Sequence, residues 1–377
     1  MKVLITDCFT RKAFDIYNIL NRYYKRSEII CSSDKNNAKK GRLIYHQKTI
    51  ALRKNSSDDF IDDLLIISNT YSKELIIYLP IEEDTTVLFY SFIEKLGSRN
   101  FLYQLPSFGS FSLARDKYLL NKFCIENKIP APGFFEYSEV LTLNKDFIPL
   151  ILKPRHGSGA KGIKYVNNIN QFKKLDIDFA NFVIQEKLPN GKDVKGAFFL
   201  CNNGEIISSY GHERIRTFPV DGGVTTYSKF YLNKEIKEIG TRLLRKLNWT
   251  GFAMLEFLWD ERSKNYKVIE INPRLWGSVL LSEFSGLGFI RNYINLCLKK
   301  PLTELKIKPY VKIRWMPFEF FNLIHSRGKI KDFWKINRKE TCYINFTYAN
   351  WWSIFWFHLF FYLNLSNFKT LLKKWKK

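Results

Sequence analysis

The chain has 377 residues, 46% hydrophobic and 25% charged, which excludes a disordered polymer and allows a large core shared by two or three subdomains. A net charge of +24, from 60 basic against 36 acidic residues, requires an anionic partner: a nucleotide, a nucleic acid or a lipid surface. Six cysteines without C-x-x-C spacing argue against a zinc or disulfide framework and for a reducing cytosol.

The opening MKVLITDCFTRKAF has too short an apolar run for a signal peptide, so a cytoplasmic protein is expected. Lys2–Thr6 reads as a buried strand and Arg11–Tyr24 as an amphipathic helix with Phe14, Ile16, Tyr17 and Leu20 inward. Further strands are expected at Glu28–Cys31 and Leu75–Leu79, giving a parallel α/β unit over residues 1–105. The helix opens without G-x-G-x-x-G, which argues against a dinucleotide site. The acidic turn Glu82, Glu83, Asp84 follows a strand's carboxyl end, where open α/β sheets bind ligands; a solvated loop is the alternative.

Asp116–Asn127 reads as a helix with Arg115 and Lys117 in its first turn, where free amides and the helix dipole favour anions. Pro149–Val166 (PLILKPRHGSGAKGIKYV) places Lys153 on a strand before a loop containing Gly157, Ser158, Gly159 and Gly162. Glycines let backbone amides approach phosphate oxygens, and Lys153 can reach the β/γ-phosphates. A Walker A loop is excluded, because the G-K-[ST] ending and the following helix are missing. The strand NFVIQEKL brings Glu186, Lys187 and Leu188 to an edge whose backbone groups can bond adenine, with a carboxylate shortly after for ribose hydroxyls. A hairpin about Asn203-Gly204, then Arg214, Arg216 and the glycine-bearing PVDGG (219–223), precede a helix over Leu232–Leu247.

Gly251–Ser278 is the most informative stretch. Two apolar runs, Phe252–Trp259 and Tyr266–Ile271, form an expected hairpin, and each is interrupted by a carboxylate: Glu256 in the first, Glu270 in the second. Glu270 and Asn272 share a face by strand alternation; Pro273 ends the ladder and Arg274 follows. Oxygen ligands beside an arginine suit Mg²⁺ and nucleotide phosphates, Mg²⁺ being held by one or two carboxylates plus substrate oxygens.

Beyond residue 300 a basic segment leads into Tyr348–Leu365, an aromatic run too short and too interrupted to span a bilayer. With the lysines of LLKKWKK behind it, an interfacial helix on an anionic membrane is expected, a buried closing helix being the alternative. Trp351, Trp352, Phe355, Leu359 and Leu363 would form its apolar side.

Taken together, residues 111–290 resemble the ATP-grasp superfamily, on its carbamoyl-phosphate-synthase-like, carboxylate–amine ligase branch; the order of motifs carries the resemblance. It implies an α/β (α+β ATP-grasp) fold: an N-terminal parallel α/β domain (1–105), an ATP-grasp domain (106–300) whose two α+β subdomains clasp ATP, one of them about 141–190, and a basic aromatic helical segment (301–377). Matched positions imply that Lys117 and Lys153 bind ATP phosphates, with Gly157, Ser158, Gly159 and Gly162 in the lid. Glu186, Lys187 and Leu188 would border adenine, and Asp193, where the family usually has Glu, would take the ribose. Glu256, Glu270 and Asn272 would hold Mg²⁺, or Mn²⁺, and Arg274 would stabilise the transferring phosphoryl group. The implied activity is an ATP-dependent ligase that activates a carboxylate as an acyl phosphate for attack by an amine or similar nucleophile. A membrane-associated nucleotide-binding protein without ligase activity is the second reading. A nucleic-acid partner is not expected, because the basic residues are dispersed and no binding module is present.

Overall fold

The computed structural model describes residues 1–143, 148–157, 162–189, 194–218, 224–231, 233–316, 318, 319, 322 and 341–363. Strands β1 (Lys2–Ile5), β2 (Ile29–Ser33), β3 (Ile50–Ala51), β4 (Ile76–Leu79) and β5 (Phe101–Leu102) form a parallel sheet in the order β3-β2-β1-β4-β5. Side-chain alternation splits β1 between two cores: Leu4 packs with Phe60, Leu64, Phe89 and Phe92, whereas Val3 and Ile5 face the rest of the molecule. The first helix, Arg11–Leu20, is buried all round from Lys12 to Leu20 and ends four residues earlier than the sequence suggests. It lies between this sheet and the helices Val279–Phe284 and Phe289–Cys297, which removes any solvent face.

A four-stranded antiparallel sheet follows, β6 (Phe134–Phe135), β7 (Leu150–Pro154), β8 (Lys164–Val166) and β9 (Phe182–Glu186), ordered β6-β9-β7-β8. It closes its own small core around Leu150, Leu152, Val166, Phe172 and Ile184.

The third sheet contains β10 (Lys195–Asn202), β11 (Glu205–Phe218), β12 (Val224–Tyr231), β13 (Gly251–Asp260), β14 (Asn265–Asn272), β15 (Val311–Arg314) and β16 (Thr341–Ile344), in the order β14-β13-β10-β11-β12-β15-β16. The first turn is the expected Asn203-Gly204, both residues at positive φ. Arg214 and Arg216 lie within the long β11 rather than after it. Ala253, Leu255 and Phe257 point to the helices Lys117–Glu126 and Lys234–Lys246. Phe252, Met254 and Glu256 alternate to the opposite face, toward the N-terminal sheet. β15 and β16 cross the boundary expected at residue 300, so part of the C-terminal segment belongs to this sheet.

Candidate active site

Register brings the two carboxylates together. Glu256 pairs directly with Glu270 and Met254 with Asn272, so Glu256, Glu270 and Asn272 occupy one face of the β13–β14 hairpin. Ile269 forms a bulge at the Glu256/Phe257 step, which leaves Val268 in the apolar core while Glu270 stays on the polar face. Burial and then the facing Glu256 raise the Glu270 carboxyl to about 7. Glu256 accepts from Arg214 Nη2 at 2.9 Å, a partner 42 positions away that the sequence reading did not place in the site.

Arg274 leaves the hairpin and divides its donors three ways: Nη2 to Asn272 Oδ1 at 2.9 Å, Nη1 to the Leu275 carbonyl at 3.1 Å, and Nε to Glu83 Oε1 at 3.2 Å. Glu83 opens a helix after β4 and also accepts from Arg115 Nε at 3.2 Å. The acidic turn therefore faces this cluster and is not a solvated loop at Glu83. Lys12 joins it through Glu82 at 2.9 Å, and burial and then nearby Arg274 lower its ammonium to about 8.

The two lysines come from different elements. Lys117 Nζ donates to the Gly157 carbonyl at 2.7 Å and stands 3.8 Å from Glu270 Oε1, tying the hairpin to the glycine-rich loop. Lys153, on β7, is lowered to about 8 by burial, against the attraction of Glu270 and Glu256. Gly157 and Gly162 have φ of +101° and +75°, a region that side chains rarely adopt. Ser158 and Gly159 lie outside the described residues.

Two expectations need correction. Arg115 does not open the helix Lys117–Glu126; it ends the preceding helix, Phe108–Arg115. The amides of Tyr118 and Leu119 are capped by Asp116, itself held by Arg155, so that terminus is already satisfied and offers little to an external anion. At the edge expected to meet adenine, the Glu186 amide bonds the Gly133 carbonyl and the Lys187 amide bonds the Pro149 carbonyl, both at 2.8 Å. The backbone donor that remains there is Leu188, whose amide has no backbone partner among the described residues. The Glu186 carboxylate accepts from the Gly133 amide, Arg262 and Lys267 at 2.8, 2.7 and 2.9 Å, and these donors lower its pKa despite burial. Asp193 lies outside the described residues.

Among the described residues no group of three or more His, Cys, Asp and Glu side chains is placed to cage a metal. Two opposed carboxylates and an amide instead suit a hard cation that completes its shell with phosphate oxygens and water, and such a cation would relieve the Glu256–Glu270 repulsion.

The family model for the ATP-grasp domain matches residues 114–278. The arginine-specific large chain of carbamoyl phosphate synthase from Geobacillus stearothermophilus is 22% identical over 184 residues, 45% of this chain and 18% of that protein. The chain spans less than a fifth of the length of the curated relatives it matches. Among solved structures, biotin carboxylase from Campylobacter jejuni superposes with a TM-score of 0.62 at 16% identity, over 82% of this chain and 74% of that one. L-amino acid ligase from Bacillus licheniformis superposes with a TM-score of 0.60 at 16% identity, over 83% and 78%. At these identities the structures establish a shared fold.

Proposed function

Because this chain carries an ATP-grasp domain over residues 114–278, we propose that it is an ATP- and Mg²⁺-dependent ligase that activates a carboxylate as an acyl phosphate for attack by an amine or similar nucleophile. The observation that carries this reading is the pairing of Glu256 with Glu270 on the face that also holds Asn272, with Lys117, Lys153 and Arg274 around it. In this reading Glu256, Glu270 and Asn272 hold Mg²⁺, with Mn²⁺ as a substitute, and the cation supplies charge neutralisation on the phosphates when bound. Lys117 and Lys153 bind phosphate oxygens, and Arg274, held by Asn272 and Glu83, stabilises the group being transferred. Gly157, Ser158, Gly159 and Gly162 form the phosphate loop. Glu186, Lys187 and Leu188 form the adenine edge, with the Leu188 amide as its donor, and Asp193 takes the ribose. Residues 1–105 make the preceding unit that contributes Lys12 and Glu83 to the site. Orientation and electrostatics are the chemistry such a site supplies. Glu270→Gln should abolish Mg²⁺-dependent ATP turnover, measured as ADP release with a panel of carboxylic acids and amines, while the thermal melt persists. Wild-type turnover in that variant would refute the assignment.

A cytoplasmic protein with peripheral contact to an anionic membrane is also proposed. No helix among the described residues is long and apolar enough to cross a bilayer. The helix Trp351–Leu363 has two sides, which accounts for both sequence readings. Ser353, Ile354 and Phe357 are buried, Ser353 Oγ donating to the Ile44 carbonyl at 2.6 Å and Phe357 stacking on Phe14 at 4.4 Å. Trp351, Trp352 and Phe355 are 82, 52 and 58% exposed, and five lysines follow in the sequence. Leu359 is half-buried, and the Leu363 side chain and Leu365 lie outside the described residues. Truncation would remove core residues, so the test is full-length protein with all three exposed aromatics changed to Ser. Sedimentation with anionic vesicles should be lost in that variant and weakened by salt in the wild type; equal sedimentation of both proteins refutes the contact.

A further inference from the structure

Beside the carboxylates, the same sheet face carries two buried polar atoms that nothing described above uses. Gly196 on β10 pairs with Glu256 on one side and with His212 of β11 on the other, so one row crosses three strands. His212 is 3% exposed; its Nδ1 lies 3.0 Å from Ser278 Oγ, in the loop after Arg274, while Nε2 is buried without a hydrogen bond among the described residues. Two residues along, Arg214 gives Nη2 to Glu256, and its Nε is likewise buried without a partner among the described residues. The glycine belongs to this arrangement: a Cβ on Gly196 would lie 2.9 Å from His212 Nε2 and 3.2 Å from the Phe198 ring, so the His212 ring can sit over this row only where the residue is glycine. An unpaired buried polar atom costs about 1–3 kcal/mol, and two on one face next to opposed carboxylates call for an external acceptor.

We propose that His212 Nε2–H and Arg214 Nε–H bind the acyl oxygen of the substrate, as the carboxylate before phosphoryl transfer and as the acyl phosphate after it. The inference rests on the ligase reading. In this arrangement Ser278 Oγ, 3.0 Å from Nδ1, serves as the donor to that nitrogen, which places the ring proton on Nε2. Burial, with Arg214 and Lys195 nearby, lowers the imidazole to about 3, so the ring works as a neutral donor across the physiological range. Arg214 spans both parts of the site, with Nη2 on Glu256 and Nε on the acyl group. The substrate class is therefore an anionic carboxylate entering from the Arg214 side, with His212 at the floor.

The test uses the full chain loaded with Mg²⁺ and ADP and titrated with acetyl phosphate, the simplest acyl phosphate. Two readouts are taken: the ¹⁵N-histidine resonance of His212 Nε2, and calorimetric affinity in the wild type, His212→Phe and Arg214→Lys. The His212 resonance should shift on saturation. Each substitution should weaken acetyl phosphate about tenfold or more; His212→Phe should keep MgADP affinity within about twofold of the wild type, whereas Arg214→Lys, which also loses the contact to Glu256, is read on acetyl phosphate alone. Phe keeps the ring volume and removes the unpaired nitrogen, so a merely structural His212 would leave affinity unchanged and the thermal melt equal or higher. An unmoved resonance, unchanged affinity in both variants, or MgADP binding without acetyl phosphate binding in the wild type overturns the inference. Failure to bind MgADP at all counts against the ligase reading itself.

Discussion

Glu270 shows how one residue acquires its chemistry from its position. Burial and the facing Glu256 hold its pKa near 7, above the ordinary value for glutamate. Without a cation it carries a proton below that pH, and the folded state loses stability as pH rises from about 4.5 through 7. A divalent cation competes with that proton. The rise in melting temperature on adding Mg²⁺ should therefore be small at pH 6 and larger at pH 8. Glu270→Gln should remove that pH dependence along with most of the rise. Differential scanning calorimetry in matched buffers checks it; an equal rise at both pH values in the wild type would contradict the assignment of Glu270 as a ligand.

At the scale of elements, the site depends on latches between strands and loops. Glu186 ends β9, and its carboxylate collects the Gly133 amide, Arg262 and Lys267, joining the small sheet to the start of β14. The residue is thus a structural fastener, whatever its part in the proposed adenine edge. Glu186→Gln keeps the shape but cannot satisfy two cations and an amide. It should destabilise the fold by about 1–3 kcal/mol, measured by urea denaturation at pH 7. Its pKa is depressed by those donors, so the contribution is present at neutral pH and falls as pH drops through its folded pKa; the gap between wild type and variant should narrow under acid. A gap unchanged down to about pH 3 would show that the ion pairs contribute nothing.

For the whole molecule, the surprise is how firmly the two ends of the chain are joined. The C-terminal helix packs Phe357 on Phe14 of the first helix and Ser353 on the Ile44 carbonyl. Phe357 is 2% exposed, whereas Phe355 is 58% exposed. Phe357→Ala should cost about 3–5 kcal/mol and Phe355→Ser should change stability by less than about 0.5 kcal/mol. Chemical denaturation of both variants checks this; similar costs would mean the helix is not docked as described.

The sequence by itself determined the main elements and which of them carry the candidate side chains. Period-two runs broken by Glu256 and Glu270, the N-P-R exit, a lysine before a glycine-rich loop and the Asn203-Gly204 turn are local signals, because strand alternation and turn geometry are set by near neighbours. Only the tertiary structure decided which groups meet. Arg214 reaches Glu256 across 42 residues, Arg274 reaches Glu83 across 191, and Lys117 meets Glu270 through the packing of separate elements. The bulge at Ile269, the cap that satisfies the Lys117–Glu126 helix and the burial of one side of the aromatic tail were equally out of reach. Each depends on a partner far along the chain, and a one-dimensional pattern carries no information about the distance between residues that only folding brings together.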